Sequence, residues 1–192
     1  ATLAWCQNLG SVPAVGKFDH IDAYKVWPST TSDHWGAFLL TRDLANSPVA
    51  YRNLAPNFGA LGSVWGYCWL SCALAVTLSG ALTLAVLAYV DDFITLAPRP
   101  CSLDGILQIH DALGIPIHRS ADKLQSPSHS PCDLLGVIVT PTPQGIQVAN
   151  QPKRIDKLVA LCTTLAQQRR IPLMQWKQAL GKLCFAVAQT WG

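Results

Sequence analysis

Two adjacent carboxylates, Asp91 and Asp92, stand between two apolar runs of the sequence. Side chains alternate between the two faces of a strand, so both acids can face one site only at a turn that breaks the alternation. Two carboxylates this close repel each other unless a cation neutralises them, which favours a bound divalent ion that prefers oxygen, Mg²⁺ or Mn²⁺. A solvated turn without a metal is the alternative interpretation of so short a motif.

A third carboxylate, Asp19, follows Lys17 and Phe18 at the end of a predicted strand. We expect Asp19, Asp91 and Asp92 to act together as metal ligands and as the catalytic acids. Two ions held in this way would activate a 3′-hydroxyl and stabilise a departing pyrophosphate, which is the chemistry of nucleotidyl transfer. His20 alternates away from the acidic face and is expected to be packed or solvated.

The apolar pattern predicts strands that alternate with helices, which indicates an α+β fold approximating a split βαβ sheet. Strands are expected over residues 15–18, 35–41, 49–54, 82–89, 93–96, 134–139 and 146–149, and helices over residues 21–26, 59–78, 103–113, 153–168 and 173–188. Gly80 is expected to end the long helix in a left-handed conformation, and Ser102 to cap the next helix. The two adjacent acids then lie at the bend of a hairpin.

The composition predicts one domain with a sizeable core, because 50% of the 192 residues are hydrophobic and 7 are Trp. A net charge of +3 is too small to indicate nucleic-acid binding by itself. The 7 cysteines are odd in number and form no CxxC pair, so we expect reduced, buried thiols. The N-terminus shows no secretory signal pattern, and we expect an intracellular protein, cytoplasmic or nuclear.

No charged residue occurs between Arg52 and Asp91, and the second part of this stretch is apolar enough to suggest a membrane span. We favour a buried helix followed by a strand, because glycines interrupt the run and two carboxylates end it. A helix that is apolar on every face is expected to be buried. Its aromatic residues Trp65, Tyr67 and Trp69 are alternatively suited to anchor a protein partner.

Residues 87–93, LAYVDDF, resemble the YxDD motif of reverse transcriptases. Residues 17–24, KFDHIDAY, resemble the first acidic motif of that family, with an Asp at a strand end and an aromatic residue five positions later. The resemblance implies that the three acids are the catalytic metal ligands. It also implies that Tyr24 is the steric gate against the ribose 2′-hydroxyl, with core packing as its alternative role.

Two further motifs follow in the order of the family. Residues 57–63, NFGALGS, resemble the segment whose backbone borders the incoming nucleotide, so the resemblance implies nucleotide contacts by Phe58 and Gly59. Residues 113–123, LGIPIHRSADK, resemble the motif whose lysine protonates departing pyrophosphate, a role that falls to Lys123. A solvated loop lysine is the alternative interpretation.

Residues 134–137, LLGV, resemble the hairpin that grips the primer end, and residues 180–188, LGKLCFAVA, resemble the helix leading into the thumb of DIRS-like and gypsy-like retrotransposon enzymes. The resemblance implies a palm over residues 1–150, lacking full fingers, and a helical connection or start of a thumb over residues 151–192. It implies RNA- or DNA-templated DNA synthesis with Mg²⁺ or Mn²⁺ on a template-primer and deoxynucleotides.

A non-catalytic palm that serves as a binding or scaffold subunit is the alternative function. In that role the apolar helix at residues 59–78 would supply the interface with a protein partner or a second copy of the chain. Both interpretations predict a protein that functions outside the membrane.

Overall fold

The computed structural model describes residues 10–26, 38–52, 54–55 and 61–190 of the chain. The strands in these ranges are β1 Ala14–Asp19, β2 Phe38–Arg42, β3 Pro48–Arg52, β4 Ala85–Tyr89, β5 Asp92–Ala97, β6 Gln125–Ser128, β7 Cys132–Leu134, β8 Val137–Thr142 and β9 Gly145–Asn150. The α-helices are α1 Leu61–Ala81, α2 Asp104–Leu113, α3 Pro152–Ala166 and α4 Leu173–Ala188, and a short 3₁₀ helix spans Ala23–Val26. The predicted mixed α+β class is confirmed.

The chain divides into two compact units. Gly16–Ala97 with Cys101–Pro127 form the first, which we call the acidic unit because it holds the three carboxylates singled out above. Ala1–Val15, Pro98–Pro100 and Ser128–Gly192 form the second, which we call the C-terminal unit. The functional division expected at residue 150 stays a prediction.

A four-stranded sheet forms the centre of the acidic unit, with the strand order β4-β5-β1-β6. In β5, Phe93 and Thr95 are buried on one face, whereas Asp92 is half-buried on the other. Phe18 of β1 stacks on Phe93 with ring centroids 4.6 Å apart, so the two central strands share one apolar face. Because Asp19 alternates with Phe18, the carboxylate leaves β1 on the face opposite this core.

Strands β2 and β3 form a two-stranded antiparallel hairpin. As far as the described residues reach, this confirms the pair of strands expected before the long helix. Asn46 has φ 63° in its turn, and Asp43 Oδ1 accepts hydrogen bonds from the backbone N–H groups of Ala45 and Ser47. Residues 35–37, where the first of these strands was expected to begin, lie outside the described ranges.

Helix α1 buries one stripe of its surface and exposes another. The buried stripe has helical spacing and consists of Tyr67, Ser71, Leu74, Ala75 and Leu78. Trp65, Trp69 and Val76 are 63%, 74% and 74% exposed. The expectation that this helix is buried on every face is therefore wrong, because α1 packs against β4 and the 3₁₀ helix within its unit and these elements do not surround it.

The predicted C-terminal end of α1 differs from the observed one, and its predicted start lies outside the described residues. Gly80 lies inside the helix, which continues to Ala81, so the expected left-handed end at Gly80 is wrong. The expected start at Gly59 lies outside the described residues. The segment Gly62–Ala81 is long and apolar enough to cross a membrane by length and composition, and 28% of its apolar window is buried in the protein.

Helix α2 ends as predicted and begins one residue away from the predicted cap. Gly114 has φ 69° and terminates the helix in the left-handed conformation. At the other end the N-cap is Leu103, and Ser102 donates instead to Asp104 Oδ2 at 2.8 Å. Ser102 Oγ also accepts the backbone N–H of Asp104 at 3.4 Å, so Ser102 bonds to both the side chain and the backbone of the first helical residue although Leu103 holds the N-cap position.

The C-terminal unit contains the three-stranded antiparallel sheet β7-β8-β9 and the helices α3 and α4, which pack against each other as predicted. Leu135 and Gly136 have φ 49° and 83° and form the turn between β7 and β8, a position expected to be strand. Arg154 of α3 donates to Gly136 O at 3.3 Å and lies over the Phe185 ring, 4.8 Å from its centroid. This arginine holds the turn against both helices.

The cysteines differ in exposure more than the sequence predicted. Cys132 is buried, whereas Cys72, Cys162 and Cys184 are exposed. The expectation of buried thiols is wrong for these three, because each lies on a helix that buries only part of its circumference.

Candidate active site

Backbone hydrogen bonds join the end of β1 to the turn between β4 and β5. The N–H of His20 donates to Asp91 O over 3.4 Å, and Asp19 O accepts from the N–H of His118 at 3.0 Å. Since β5 and β1 are neighbours in the sheet, Asp19 lies beside the turn that carries Asp91 and Asp92. The structure therefore brings together the three acids that the sequence analysis selected, while their roles stay predictions.

The turn that carries the acids has a strained backbone. Tyr89 pairs with Asp92 across it, which leaves Val90 and Asp91 as the two turn residues. Asp92, expected at the bend together with Asp91, is therefore the first residue of β5 instead. Val90 has φ 57°, a left-handed conformation that costs a branched residue about 1–2 kcal/mol. Ser71 Oγ of α1 donates to Val90 O at 2.5 Å. This bond ties the turn to the helix and fixes where the two acids leave the sheet.

The three carboxylates share one electrostatic environment. Burial raises the pKa of Asp92, and the charges of Asp19 and Asp91 raise it further. Lys123 and Lys17 act in the opposite direction and lower the pKa of Asp92. A positive charge brought to this site would therefore favour the ionised form of Asp92.

Lys123 supplies a positive charge in direct contact with the acids. Its Nζ lies 2.5 Å from Asp19 Oδ2, and the side chains of Lys123 and Asp19 are 46% and 9% exposed. The hydrogen bond to Asp19 is the main cause that raises the pKa of Lys123, so the ammonium form is retained. The lysine predicted to protonate pyrophosphate thus lies at the site and neutralises Asp19.

Tyr24 lies on the 3₁₀ helix that follows β1 and is half-buried. Its ring centroid is 5.2 Å from that of Tyr67 in α1, with the planes inclined by 45°. Burial and then the charge of Asp91 raise the pKa of the Tyr24 hydroxyl, which stays protonated beside the acids. Phe58 and Gly59, the other predicted nucleotide contacts, lie outside the described residues.

Two buried histidines that bond to each other, one of them directly after Asp19, were not selected from the sequence. His20 and His110 are 3% and 0% exposed, so of the two positions expected for His20, packed or solvated, the structure shows the packed one. Their Nε2 atoms lie 3.0 Å apart, and His20 Nδ1 also contacts the hydroxyl of Tyr67. A signal was available in the sequence, since His20 follows Phe18 by two residues and His110 follows Ile106 by four. A polar group at such a buried position requires hydrogen-bond partners.

The donor atoms of the site are carboxylate oxygens, the ligands that Mg²⁺ and Mn²⁺ prefer. The repulsion among Asp19, Asp91 and Asp92 that raises the pKa of Asp92 is also the effect that a divalent cation would relieve. Across residues 10–26, 38–52, 54–55 and 61–190, no three His, Cys, Asp or Glu side chains converge as a ready metal cage. The donor types fit such an ion, and one of the oxygens, Asp19 Oδ2, accepts a hydrogen bond from Lys123 Nζ.

No model of a known protein family matches the sequence, and no curated protein matches it. The structure of the foamy viral protease-reverse transcriptase dRH in complex with ds DNA has a TM-score of 0.59 at 16% identity, over 92% of this chain and 28% of that one. The foamy viral protease-reverse transcriptase in complex with RNA/DNA hybrid has a TM-score of 0.58 at 16% identity, over 90% and 21%. The chain thus spans less than a third of either protein. It has a reverse-transcriptase-like fold.

Proposed function

We propose that the chain is the palm of a reverse transcriptase, which carries out RNA- or DNA-templated DNA synthesis by two-metal nucleotidyl transfer. The observation that carries this proposal is that Asp19, at the end of β1, lies beside Asp91 in the β4–β5 turn and Asp92 at the start of β5, on a reverse-transcriptase-like fold. Apart from the 3₁₀ helix and the β2–β3 hairpin, the elements of the acidic unit follow in the order β1, α1, β4, β5, α2, β6. This order is that of a split βαβ fold, which supports the assignment of a palm.

Each residue of the site has a proposed role. Asp19, Asp91 and Asp92 would hold Mg²⁺ or Mn²⁺, which supplies positive charge for activating a primer 3′-hydroxyl and for stabilising the leaving pyrophosphate. Lys123 neutralises Asp19 until another cation replaces it, and then donates a proton to pyrophosphate. Tyr24 places its ring where a ribose 2′-hydroxyl would otherwise fit.

Several finer parts of the proposal rest on the sequence motifs. The partners are a template-primer and deoxynucleotides, and the two foamy viral structures hold ligands of this kind, ds DNA and an RNA/DNA hybrid. The enzyme type is that of a DIRS-like or gypsy-like retrotransposon, and residues 151–192 form the connection toward a thumb. We propose an intracellular location.

Mn²⁺ binding measured by calorimetry tests this function. Asp19→Asn and Asp91→Asn should each weaken binding by at least about tenfold, because each removes a charged ligand. Asp156→Asn changes an exposed acid of α3 and should bind Mn²⁺ like the wild type. Primer extension on an added template-primer should be lost in the first two variants. Absence of Mn²⁺ binding by the wild type at millimolar metal would contradict the proposal.

A scaffold role is the second candidate function, and the exposed side of α1 favours it. Trp65 and Trp69 project large apolar surfaces there, and aromatic residues of this type anchor protein interfaces. The interface would be formed with a protein partner or a second copy of the chain. A scaffold would keep its association after Asp19→Asn and would bind neither Mn²⁺ nor nucleotide through the acids.

A further inference from the structure

A chain of hydrogen bonds runs from the acidic site into the core of the acidic unit. His110 Nδ1 lies 2.8 Å from Ile106 O, a carbonyl that can only accept, so Nδ1 carries the proton. A neutral His110 then has Nε2 as an acceptor, and His20 Nε2, 3.0 Å away, must be the donor. His20 Nδ1 remains as an acceptor for the hydroxyl proton of Tyr67. Donation therefore proceeds from Tyr67 to His20, to His110 and to Ile106.

Both histidines are neutral because burial disfavours the imidazolium form. The two rings bond to each other, to the Tyr67 hydroxyl and to Ile106 O, which are uncharged partners and do not compensate for burying a positive charge. Packing restrains the two rings as well. His20 lies against Phe93 with centroids 4.6 Å apart, and Phe18 meets His110 edge-on at 5.3 Å. The packed rings are held in place, and the Ile106 carbonyl then fixes which nitrogen of each ring donates.

Tyr67, at the outer end of this chain of bonds, packs against Tyr24. Tyr67 is part of the core and is only 3% exposed, whereas Tyr24 is half-buried at the site. Burial and the charge of Asp91 raise the pKa of Tyr67, so its hydroxyl remains a donor. The Tyr67 hydroxyl is held by His20 while its ring contacts Tyr24 at 5.2 Å between centroids.

We propose that Tyr67 is a positioning residue for nucleotide selection, held by His20 and His110 so that its ring supports the ring of Tyr24. The inference rests on the proposed function, in which Tyr24 excludes a ribose 2′-hydroxyl. A steric gate works only if its ring cannot retreat, and the 3₁₀ helix of Tyr24 spans only Ala23–Val26. The ring of Tyr67 packs against this ring, and Tyr67 is itself connected to the end of β1 through His20 and to α2 through His110.

Tyr67→Phe isolates the hydroxyl from the ring. The variant keeps the aromatic contact with Tyr24 but leaves His20 Nδ1 buried without its donor. The ring at position 67 is then held less firmly against the ring of Tyr24. We expect discrimination between deoxyribonucleotides and ribonucleotides to fall by about tenfold, as for one lost buried hydrogen bond. Tyr51→Phe, on exposed β3, makes the same chemical change away from the site and should leave discrimination unaltered.

Nitrogen-15 NMR of the histidine rings tests the hydrogen-bond chain without a measurement of enzymatic activity. At pH 7 the wild type should show His20 protonated at Nε2 and His110 protonated at Nδ1, with signals assigned through His20→Gln and His110→Gln. Tyr67→Phe should shift the His20 Nδ1 resonance, and Tyr51→Phe should not. A His110 ring protonated at Nε2, or an imidazolium at either position, would overturn the proposed chain of bonds.

Nucleotide binding tests the positioning role on the same proteins. Mn²⁺-supported binding of dATP and ATP should give the wild type a preference for dATP that falls in Tyr67→Phe. His20→Gln, whose amide can both accept and donate, should retain more of the preference than His20→Leu. An unchanged preference in Tyr67→Phe and His20→Leu would refute the positioning role. A wild type that binds neither nucleotide would refute the proposed function and the selection role with it, while the NMR result would still decide the bond chain.

Discussion

At the residue scale, Lys123 and a divalent ion would compete for the same carboxylate. Lys123 Nζ is 2.5 Å from Asp19 Oδ2, and its side chain is 46% exposed, so solvent reduces the strength of the pair. The same ammonium lowers the pKa of Asp92. Lys123 therefore stabilises the site without metal and opposes the approach of another cation.

Lys123→Met should increase the affinity for Mn²⁺. Removing one positive charge at about 4 Å from a divalent ion in a water-like medium relieves roughly 2 kcal/mol of repulsion, which corresponds to an affinity gain of about thirtyfold. Nucleotidyl transfer should fall at the same time, because the proposed proton donor is absent. Calorimetric titration and primer extension measure the two effects. Lys157→Met, an exposed lysine of α3, is the control, and weaker Mn²⁺ binding by Lys123→Met would contradict the competition.

The buried histidines predict a loss of stability in acid. The pKa of His20 in the folded protein is lowered to about 3, below its ordinary value of 6.5. As pH falls below 6.5, the unfolded chain takes up the proton and the folded chain does not, so unfolding becomes more favourable until the pH reaches about 3. The free energy of unfolding should fall by at most about 1.4 kcal/mol per pH unit from this residue.

Urea unfolding of the wild type and His20→Gln between neutral pH and pH 4.5 measures this effect. His20→Gln should show a shallower dependence, because one titrating group is absent. Asp92 acts with the opposite sign, since its pKa is raised in the folded state, and comparing the two proteins removes its contribution. Equal pH dependence in both proteins would show that His20 is not the source.

At the scale of elements, the close approach of three strands depends on one residue without a side chain. A Cβ at Gly16 of β1 would lie 2.5 Å from Gln125 O, 2.6 Å from Pro127 N and 2.7 Å from Thr95 Oγ1. Two of these atoms belong to the backbone of β6 and cannot rotate away. The spacing of β1 between β5 and β6, and with it the position of Asp19, therefore requires glycine at this position.

Gly16→Ala should lower the free energy of unfolding by about 1–3 kcal/mol, the usual cost of overpacking a core. Gly66→Ala in α1 is the matched control, because no atom lies within 4 Å of its added Cβ and alanine favours the helix by about 1 kcal/mol. Chemical denaturation of the two variants should move the midpoint in opposite directions. A stability of Gly16→Ala equal to that of the wild type would contradict the close packing.

Several elements were predictable because local patterns decide them. The short apolar segment at residues 93–96 identified a strand next to the acids, and Gly114 identified the end of α2. The strand β6 and the turn at Leu135 and Gly136 were not predicted, because β6 has no apolar alternation and obtains its place from pairing with β1. Pairing between distant segments leaves little trace in a local window.

At the scale of the whole molecule, the exposed side of α1 makes self-association or partner binding an expected property. Trp65, Trp69 and Val76 form an apolar surface that the acidic unit leaves uncovered. The net charge of +3 gives little electrostatic attraction to a nucleic acid by itself. Association through this surface would therefore be driven by burial of apolar area and would weaken little with salt.

Sedimentation over a range of concentrations tests this surface. The wild type should show association that Trp69→Ser reduces, because the substitution removes a large exposed aromatic residue from the centre of the surface. Tyr51→Ser on β3 is the control for loss of an exposed aromatic residue elsewhere. A wild type that remains monomeric at high concentration would contradict a self-association interface.

The sequence by itself predicted the mixed α+β class and most element positions, since apolar periodicity is a property of neighbouring residues, and its motif spacing singled out three acids whose roles stay predictions. It selected Asp19, Asp91 and Asp92 as partners, and tertiary structure joined them through the pairing of β1 with β5. Only the tertiary structure decided that α1 buries one side and that His20 and His110 bond to each other. Those outcomes depend on which surfaces distant segments cover, and a side chain acquires its partners only when the chain has folded around it.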